Sequence, residues 1–177
     1  MKANISVVSL DTSTINITRE NNFTHLSISN ILPYSTLVLY MPFDENVSSE
    51  TTYDFTNFNN DGNISNLPFY NTSCIYSGCY NFDGINDGIN VSDSDSLDFL
   101  NNLTISAWVN PSTIGSDLVS EPIVDKIINN ASILNGYKLA LENSSRAVFV
   151  LGNEIQNDTL ITPASTISTN KWTQVVV

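Results

Sequence analysis

Charge is the scarcest ingredient of this sequence. Only 14% of its 177 residues are Asp, Glu, Lys or Arg, against roughly 25% in an average soluble protein. Six basic residues face eighteen acidic ones, a formal net charge of −12. Such a surface repels phosphate backbones and anionic lipid, which argues against nucleic acid and a bare membrane surface as partners. Cations and neutral glycans remain open, beside the plain reading of acidity as a source of solubility. There is one histidine, His25, and there are two cysteines, fewer ligands than a structural zinc site recruits. No run approaches ~18 consecutive apolar residues, so no segment reads as a membrane-spanning helix. Met1 to Leu10 alternates apolar and polar residues around one lysine, unlike a signal peptide. A signal or an anchor is therefore expected outside this sequence, with direct membrane insertion excluded.

What replaces charge is neutral polarity. The chain holds 25 Asn, 23 Ser and 16 Thr. Short polar side chains compete with the helical backbone for hydrogen bonds, and they suit turns and exposed strand faces. Hydrophobic residues still make up 41%, enough for the core of one domain of ordinary size. The composition predicts an all-β chain.

Eleven asparagines open N-x-[ST] sequons: Asn4, Asn16, Asn22, Asn46, Asn63, Asn71, Asn90, Asn102, Asn130, Asn143 and Asn157. Composition alone would give about five or six. The excess points to a secreted, N-glycosylated chain. Cys74 and Cys79, with four residues between them, lack the C-x-x-C spacing of a redox or zinc motif. A short-loop disulfide is the better reading, a free thiol pair the alternative, and the disulfide implies an oxidising compartment. Extracellular or cell-surface localisation follows.

Along the chain, residues 1–33 contain short alternating runs (Ile5, Val7; Ile15, Ile17; Leu26, Ile28) broken by Asp11, Asn21 and Asn30. They read as a β-rich segment or linker with a boundary near Pro33, and residues 34–177 as one domain. Leu37, Leu39 and Met41 alternate with Val38, Tyr40 and Pro42 in an apolar strand. Asp54 to Gly62 is a loop dense in turn formers, and Asp83-Gly84 and Asp87-Gly88 mark tight turns. Leu103, Ile105, Ala107 and Val109 face one way, and Thr104, Ser106, Trp108 and Asn110 the other, a period of two. Ile123 to Ile127 reads as a short strand, and Asn135-Gly136 as the start of another. Asn143-Ser144-Ser145 turns that strand into Ala147 to Leu151. Strands around Ile155 to Ile161 and over Trp172 to Val177 complete the set. The expected core comprises Leu37, Leu39, Phe82, Leu103, Ile105, Val109, Leu139 and Val150.

Six segments in order carry a family resemblance: LVLYMPFDEN (Leu37 to Asn46), DFTNFNNDG (Asp54 to Gly62), YNFDGINDGINV (Tyr80 to Val91), LTISAWVNP (Leu103 to Pro111), GYKLAL (Gly136 to Leu141) and NKWTQVVV (Asn170 to Val177). The sequence resembles the laminin G-like (LamG) jelly-roll family of the concanavalin A-like lectin/glucanase fold. The resemblance implies an all-β, antiparallel jelly-roll β-sandwich. It departs from the family at Asn57 and Asn59, where members often have Gly, and at Gly88, where an aromatic is usual. It also stops before the family's last strands, so a C-terminally truncated domain, part of a longer polypeptide with other domains, is expected.

The loop from Asp54 to Gly62, with Asp83 and Asp87 later, is the best candidate for a metal site, a calcium ion at Asp54, Asn57, Asn59 and Asp61. The resemblance implies such an ion in some members, held by the residue matching Asp54, by loop carbonyls and by an acid from the last strand. The alternative is that these side chains merely cap turns. Trp108 and Trp172 are expected to be partly buried under a covering loop, with a sugar-stacking platform as the other reading. Catalysis finds little support. Glucanases of this fold place two Glu and an Asp on one strand; no E-x-D-x-x-E occurs here, and Glu45 and Glu50 flank a loop. The function expected is a non-catalytic carbohydrate- or ligand-binding module, taking a glycan or a surface-protein ligand. The alternative is a structural spacer or adhesin module that displays N-glycans. Apart from calcium no cofactor is expected.

Overall fold

A computed structural model describes residues 37–44, 50–99, 102–114, 120–130, 133–153 and 155–177. The expected strands of residues 1–33 lie outside the described residues, as do Asn4, Asn16, Asn22, Glu45 and Asn46. Contacts divide the chain into two compact units, Met1–Leu97 and Asp98–Val177. Every strand pairing is antiparallel.

The first unit holds a three-stranded sheet and a hairpin. β1 (Thr51–Thr52) and β5 (Gly88–Val91) flank β2 (Gly62–Ser65). The inner side of this sheet is tight: a Cβ on Gly62 would meet Ile89, Thr52 and Met41. β3 (Phe69–Asn71) pairs with β4 (Cys79–Asn81). The disulfide Cys74–Cys79 ties the connection of that hairpin to its second strand. The expected pairing of the two cysteines is present.

Leu37 to Phe43 runs half-buried, as its apolar alternation requires, but it joins no ladder among the described strands. Its hydrogen bonds go instead to loop side chains and to one loop amide, Phe55 N–H, which donates to the Tyr40 carbonyl at 2.9 Å. The strand expected here is an extended segment held by a loop. Phe82, expected in the core, is 49% exposed. It follows the last residue of β4 and opens the Asp83 turn, so no sheet face holds its ring inward.

The second unit is a sandwich. β7 (Glu121–Asn130), β8 (Ile133–Glu142), β9 (Arg146–Asn153) and β10 (Asn157–Ile161) form a meander in the order β10-β9-β8-β7. β6 (Ser106–Val109) and β11 (Thr173–Val176) form a two-stranded partner sheet. Between them lie Leu139, Leu141, Ala147, Ile167 and Val175, with Ile105, Val109, Val124 and Phe149 packed around. Leu139, the best-buried of the expected core residues, is 1% exposed. Burying such a leucine is worth roughly 1.5–3 kcal/mol.

β7 is longer than the strand expected over Ile123 to Ile127. Pro122 lies in it without breaking it because β7 is at the edge of the described sheet, where a missing N–H costs no ladder bond. The register shifts between Pro122 and Val124. Asn135-Gly136 lies within β8, not at its start. Gly136 has φ +115°, and a Cβ there would fall on the carbonyl of Lys126. Glycine is required at that position because the facing backbone comes so close. The turn expected at Asn143-Ser144-Ser145 is present, with Ser144 and Ser145 both left-handed at φ 61° and 57°.

Candidate functional site: an aromatic-bearing loop on a buried polar hub

From Thr52 to Thr56 the usual arrangement of side chains is inverted. Thr52, Asp54 and Thr56 are buried, while Tyr53 and Phe55 between them are 46% and 55% exposed. Buried polar groups survive only when hydrogen-bonded, and those of Asp54 and Thr56 are. Asp54 Oδ1 accepts the N–H of Tyr40 at 2.9 Å and of Thr56 at 3.0 Å. Its Oδ2 accepts the Thr56 hydroxyl at 2.7 Å and the Asn60 N–H at 2.9 Å. An ionised carboxylate offers about four acceptor positions. All are taken by this chain.

The hub extends outward. The Asp54 N–H donates to Asp61 Oδ1 at 2.8 Å, closing the loop at its base. Asn60, also buried, donates from Nδ2 to the Val38 carbonyl at 2.7 Å and to Ser96 Oγ at 2.9 Å. Asn59 turns the chain with φ 54° and sends Nδ2 to the Asn57 carbonyl at 3.3 Å. Asparagine tolerates that left-handed conformation better than most residues.

The geometry bears on calcium through its donors. Calcium takes six to eight oxygens. Asp54 as arranged has no lone pair left for an ion, Asn57 and Asn59 are exposed, and one oxygen of Asp61 holds the Asp54 N–H. Among the described residues no group of three or more His, Cys, Asp or Glu side chains converges. As arranged, Asp54 itself has no free acceptor position with which to hold an ion.

The hub holds its aromatic residues outward. Tyr40 and Phe55 meet edge to face with centroids 6.4 Å apart, and Phe58 is also exposed. Burial, and secondarily Asp44, raises the Tyr40 hydroxyl above the ordinary tyrosine range. Sequence reasoning missed this patch because alternation alone assigns Tyr53 and Phe55 to the inside. The available signal was the Asp and Thr residues in phase with one another.

The second turn is built by Asp83, whose Oδ1 accepts the N–H of Ile85 at 2.8 Å and of Asn86 at 3.3 Å. The Ile85 bond above all holds the Asp83 carboxyl below the usual aspartate range. Asp87 returns the favour by accepting the Asp83 N–H at 2.9 Å. The family model described as the concanavalin A-like lectin/glucanases superfamily, a laminin G-like family, matches residues 83–177, more than half of the chain.

The chain belongs to that superfamily.

This concanavalin A-like chain has the fold that its six ordered motifs imply. Residues 221–444 of an S-layer domain-containing protein from Clostridium thermocellum, known from a crystal structure, share the fold. The TM-score is 0.58 at 18% identity, covering 78% of this chain and 67% of that one. No curated protein matches the sequence. On the concanavalin A-like sandwich itself, Trp108 and Trp172 are both half-buried. Trp108 faces Gln174 across the β6–β11 pair. Among the sequon residues, Asn63, Asn90, Asn102 and Asn157 are exposed, and Asn71 and Asn143 are half-buried. Asn130 ends β7.

Proposed function

We propose that this chain is a non-catalytic module of an extracellular or cell-surface protein that binds a neutral glycan, through the Tyr40–Phe55 pair and the exposed rings of Tyr53 and Phe58 near them in sequence. Within this reading residues 34–177 form the module. The observation that carries the reading is the inversion at Thr52–Thr56. Exposed aromatics are held outward by a buried carboxylate that spends all four of its acceptor positions on the task. Sugar rings have apolar faces that stack on aromatic rings, and such a platform works best on a rigid support. A net charge of −12 disfavours an anionic ligand. Exposed Asn57 and Asn59 stand beside the patch in sequence as hydrogen-bonding partners for hydroxyls.

Titration calorimetry of the full chain against a panel of neutral polysaccharides tests this. We expect binding that weakens about tenfold, ~1.4 kcal/mol, in Phe55→Ala, and that is unmoved by Phe69→Ala, a still more exposed ring in β3. Binding that is indifferent to Phe55 would remove the patch from the account. No binding to any member of the panel would favour the second reading, a spacer displaying N-glycans, which the exposed Asn63, Asn90, Asn102 and Asn157 support.

A further inference from the structure

Two of the eleven sequons, Asn63-Ile64-Ser65 and Asn90-Val91-Ser92, lie 27 residues apart in sequence, by subtraction of their numbers. The fold brings them together. Asn63 of β2 and Asn90 of β5 are direct cross-strand partners, with Gly62↔Val91 and Ile64↔Ile89 on either side. Both asparagines are exposed, while Gly62 and Ile64 beside Asn63 are buried. The two amides therefore point from the same face of one sheet into solvent. Among the described residues no other two sequon asparagines share a register position.

Directly opposed Cβ atoms are roughly 4.5–5.5 Å apart. That is narrower than a substituted pyranose ring, so two glycans rooted there contend for one volume. The two positions also differ. Asn63 is on the central strand and has Thr51 of β1 as its other partner, whereas Asn90 is on β5, at the edge of the described sheet. Among the described strands Asn90 has a neighbour on one side and Asn63 on both.

We propose that Asn63 and Asn90 form a single N-glycan acceptor site, in which a glycan on one asparagine excludes a glycan on the other and Asn90 is the preferred acceptor. The donor is a lipid-phosphate-linked oligosaccharide. The Asn Nδ2 forms a bond to the anomeric carbon, the bond from that carbon to the carrier phosphate oxygen breaks, the phosphate leaves with the electron pair, and Nδ2 loses one proton. The outer face of β1-β2-β5 thus carries one glycan and not two. This stands independently of the glycan-binding reading, since it concerns sugars attached to the chain and not sugars bound by it.

The test uses the full chain secreted from a glycosylating host. Glycan release by an amidase in heavy-oxygen water marks each occupied asparagine, and cleavage after aspartate separates the two sites, since Asp83 and Asp87 lie between them. A separate partial digest, on chain with its glycans still attached, leaves Asp83 and Asp87 uncut, and the intact mass of its 62–93 fragment counts glycans per molecule. We expect Asn90 to be the more occupied, and the doubly occupied fraction to fall below the product of the single occupancies. Asn90→Gln should raise Asn63 occupancy about twofold or more, the scale on which contacting side chains couple. Ser92→Ala, which removes the sequon but keeps the amide, should do the same. Two glycans on most molecules would overturn the proposal, as would Asn63 occupancy unmoved by either substitution, or both sites empty while Asn102 and Asn157 are filled.

Discussion

Asp54 Oδ1 accepts the backbone N–H of Tyr40, fourteen residues earlier, at 2.9 Å. One buried carboxylate thus organises an extended segment that finds no strand partner among the described residues. Asp54→Asn keeps the size but turns one acceptor into a donor facing donors. Leaving buried donors unmet costs about 1–3 kcal/mol each, more where the lost partner was charged. We expect a loss of about 3 kcal/mol in chemical denaturation. The wild-type melting temperature should be the same with calcium as with chelator. A calcium-dependent rise that Asp54→Asn abolishes would instead place an ion at Asp54, Asn57, Asn59 and Asp61.

Glycine at 136 and glycine at 84 should respond differently to alanine. Both have positive φ, +115° and +74°. Nothing lies within 4 Å of a Cβ at Gly84, whereas at Gly136 the Lys126 carbonyl occupies the space. Gly84→Ala should cost only the left-handed penalty, about 1–2 kcal/mol. Gly136→Ala adds a backbone clash and must part β7 from β8, so a cost above ~3 kcal/mol is expected. Equal denaturation midpoints would contradict the close approach.

The Cys74–Cys79 loop is short, with a sequence separation of 5. Closing a loop of that size stabilises by about 2 kcal/mol in the chain-entropy description. Replacing both cysteines with serine should lower stability by roughly that amount. Recovery of two freely alkylatable thiols from the exported protein would show that the bond does not form.

Asp83 and Tyr137 make stability depend on pH in opposite directions. Asp83 has a folded pKa lowered mainly by the Ile85 N–H. Its contribution is therefore present above the ordinary aspartate value of about 3.9 and is lost as pH falls through the folded value. Tyr137 has a folded pKa raised by burial, Lys126 opposing and Asp98 assisting. The neutral phenol is the form the fold prefers, so its contribution holds below the ordinary value of about 10 and is lost as pH rises through the folded one. Titrating the Asp83 carboxyl by NMR and Tyr137 by phenolate absorbance checks both signs. A Tyr137 that ionises at or below the free-tyrosine value would show that its burial is misjudged.

The sandwich was legible where one face is buried and the other wet. Leu103 to Asn110 alternates because Ile105 and Val109 meet the core while Ser106 meets water, and the turn at Asn143 to Ser145 carries residues that accept positive φ. Legibility failed where hydrogen bonding overrides burial. Asp54 and Thr56 sit inside because Asp54 collects four donors, two from Thr56, one from Asn60 and one from Tyr40 fourteen residues earlier, a demand no strand periodicity expresses. It failed again at Phe82, which is apolar but belongs to a turn. The Asn63–Asn90 pairing is tertiary too, since each sequon is readable alone and only the register makes them neighbours.

The order of pairing in the second unit has a kinetic consequence. β7 to β10 each pair with the next segment of chain, so their contacts close short loops. β11 must cross 68 residues for Gln174 to reach Ser106. Closing a long loop comes after the entropy of ordering it has been met, which slows non-local pairing relative to local. The meander should therefore gain amide protection first in pulsed hydrogen exchange, with β6 and β11 following; simultaneous protection of all six strands would argue for a single concerted step. Until β11 arrives, Leu139 and Leu141 face water on a formed sheet, which makes the folding intermediate, and not the finished domain, the sticky species.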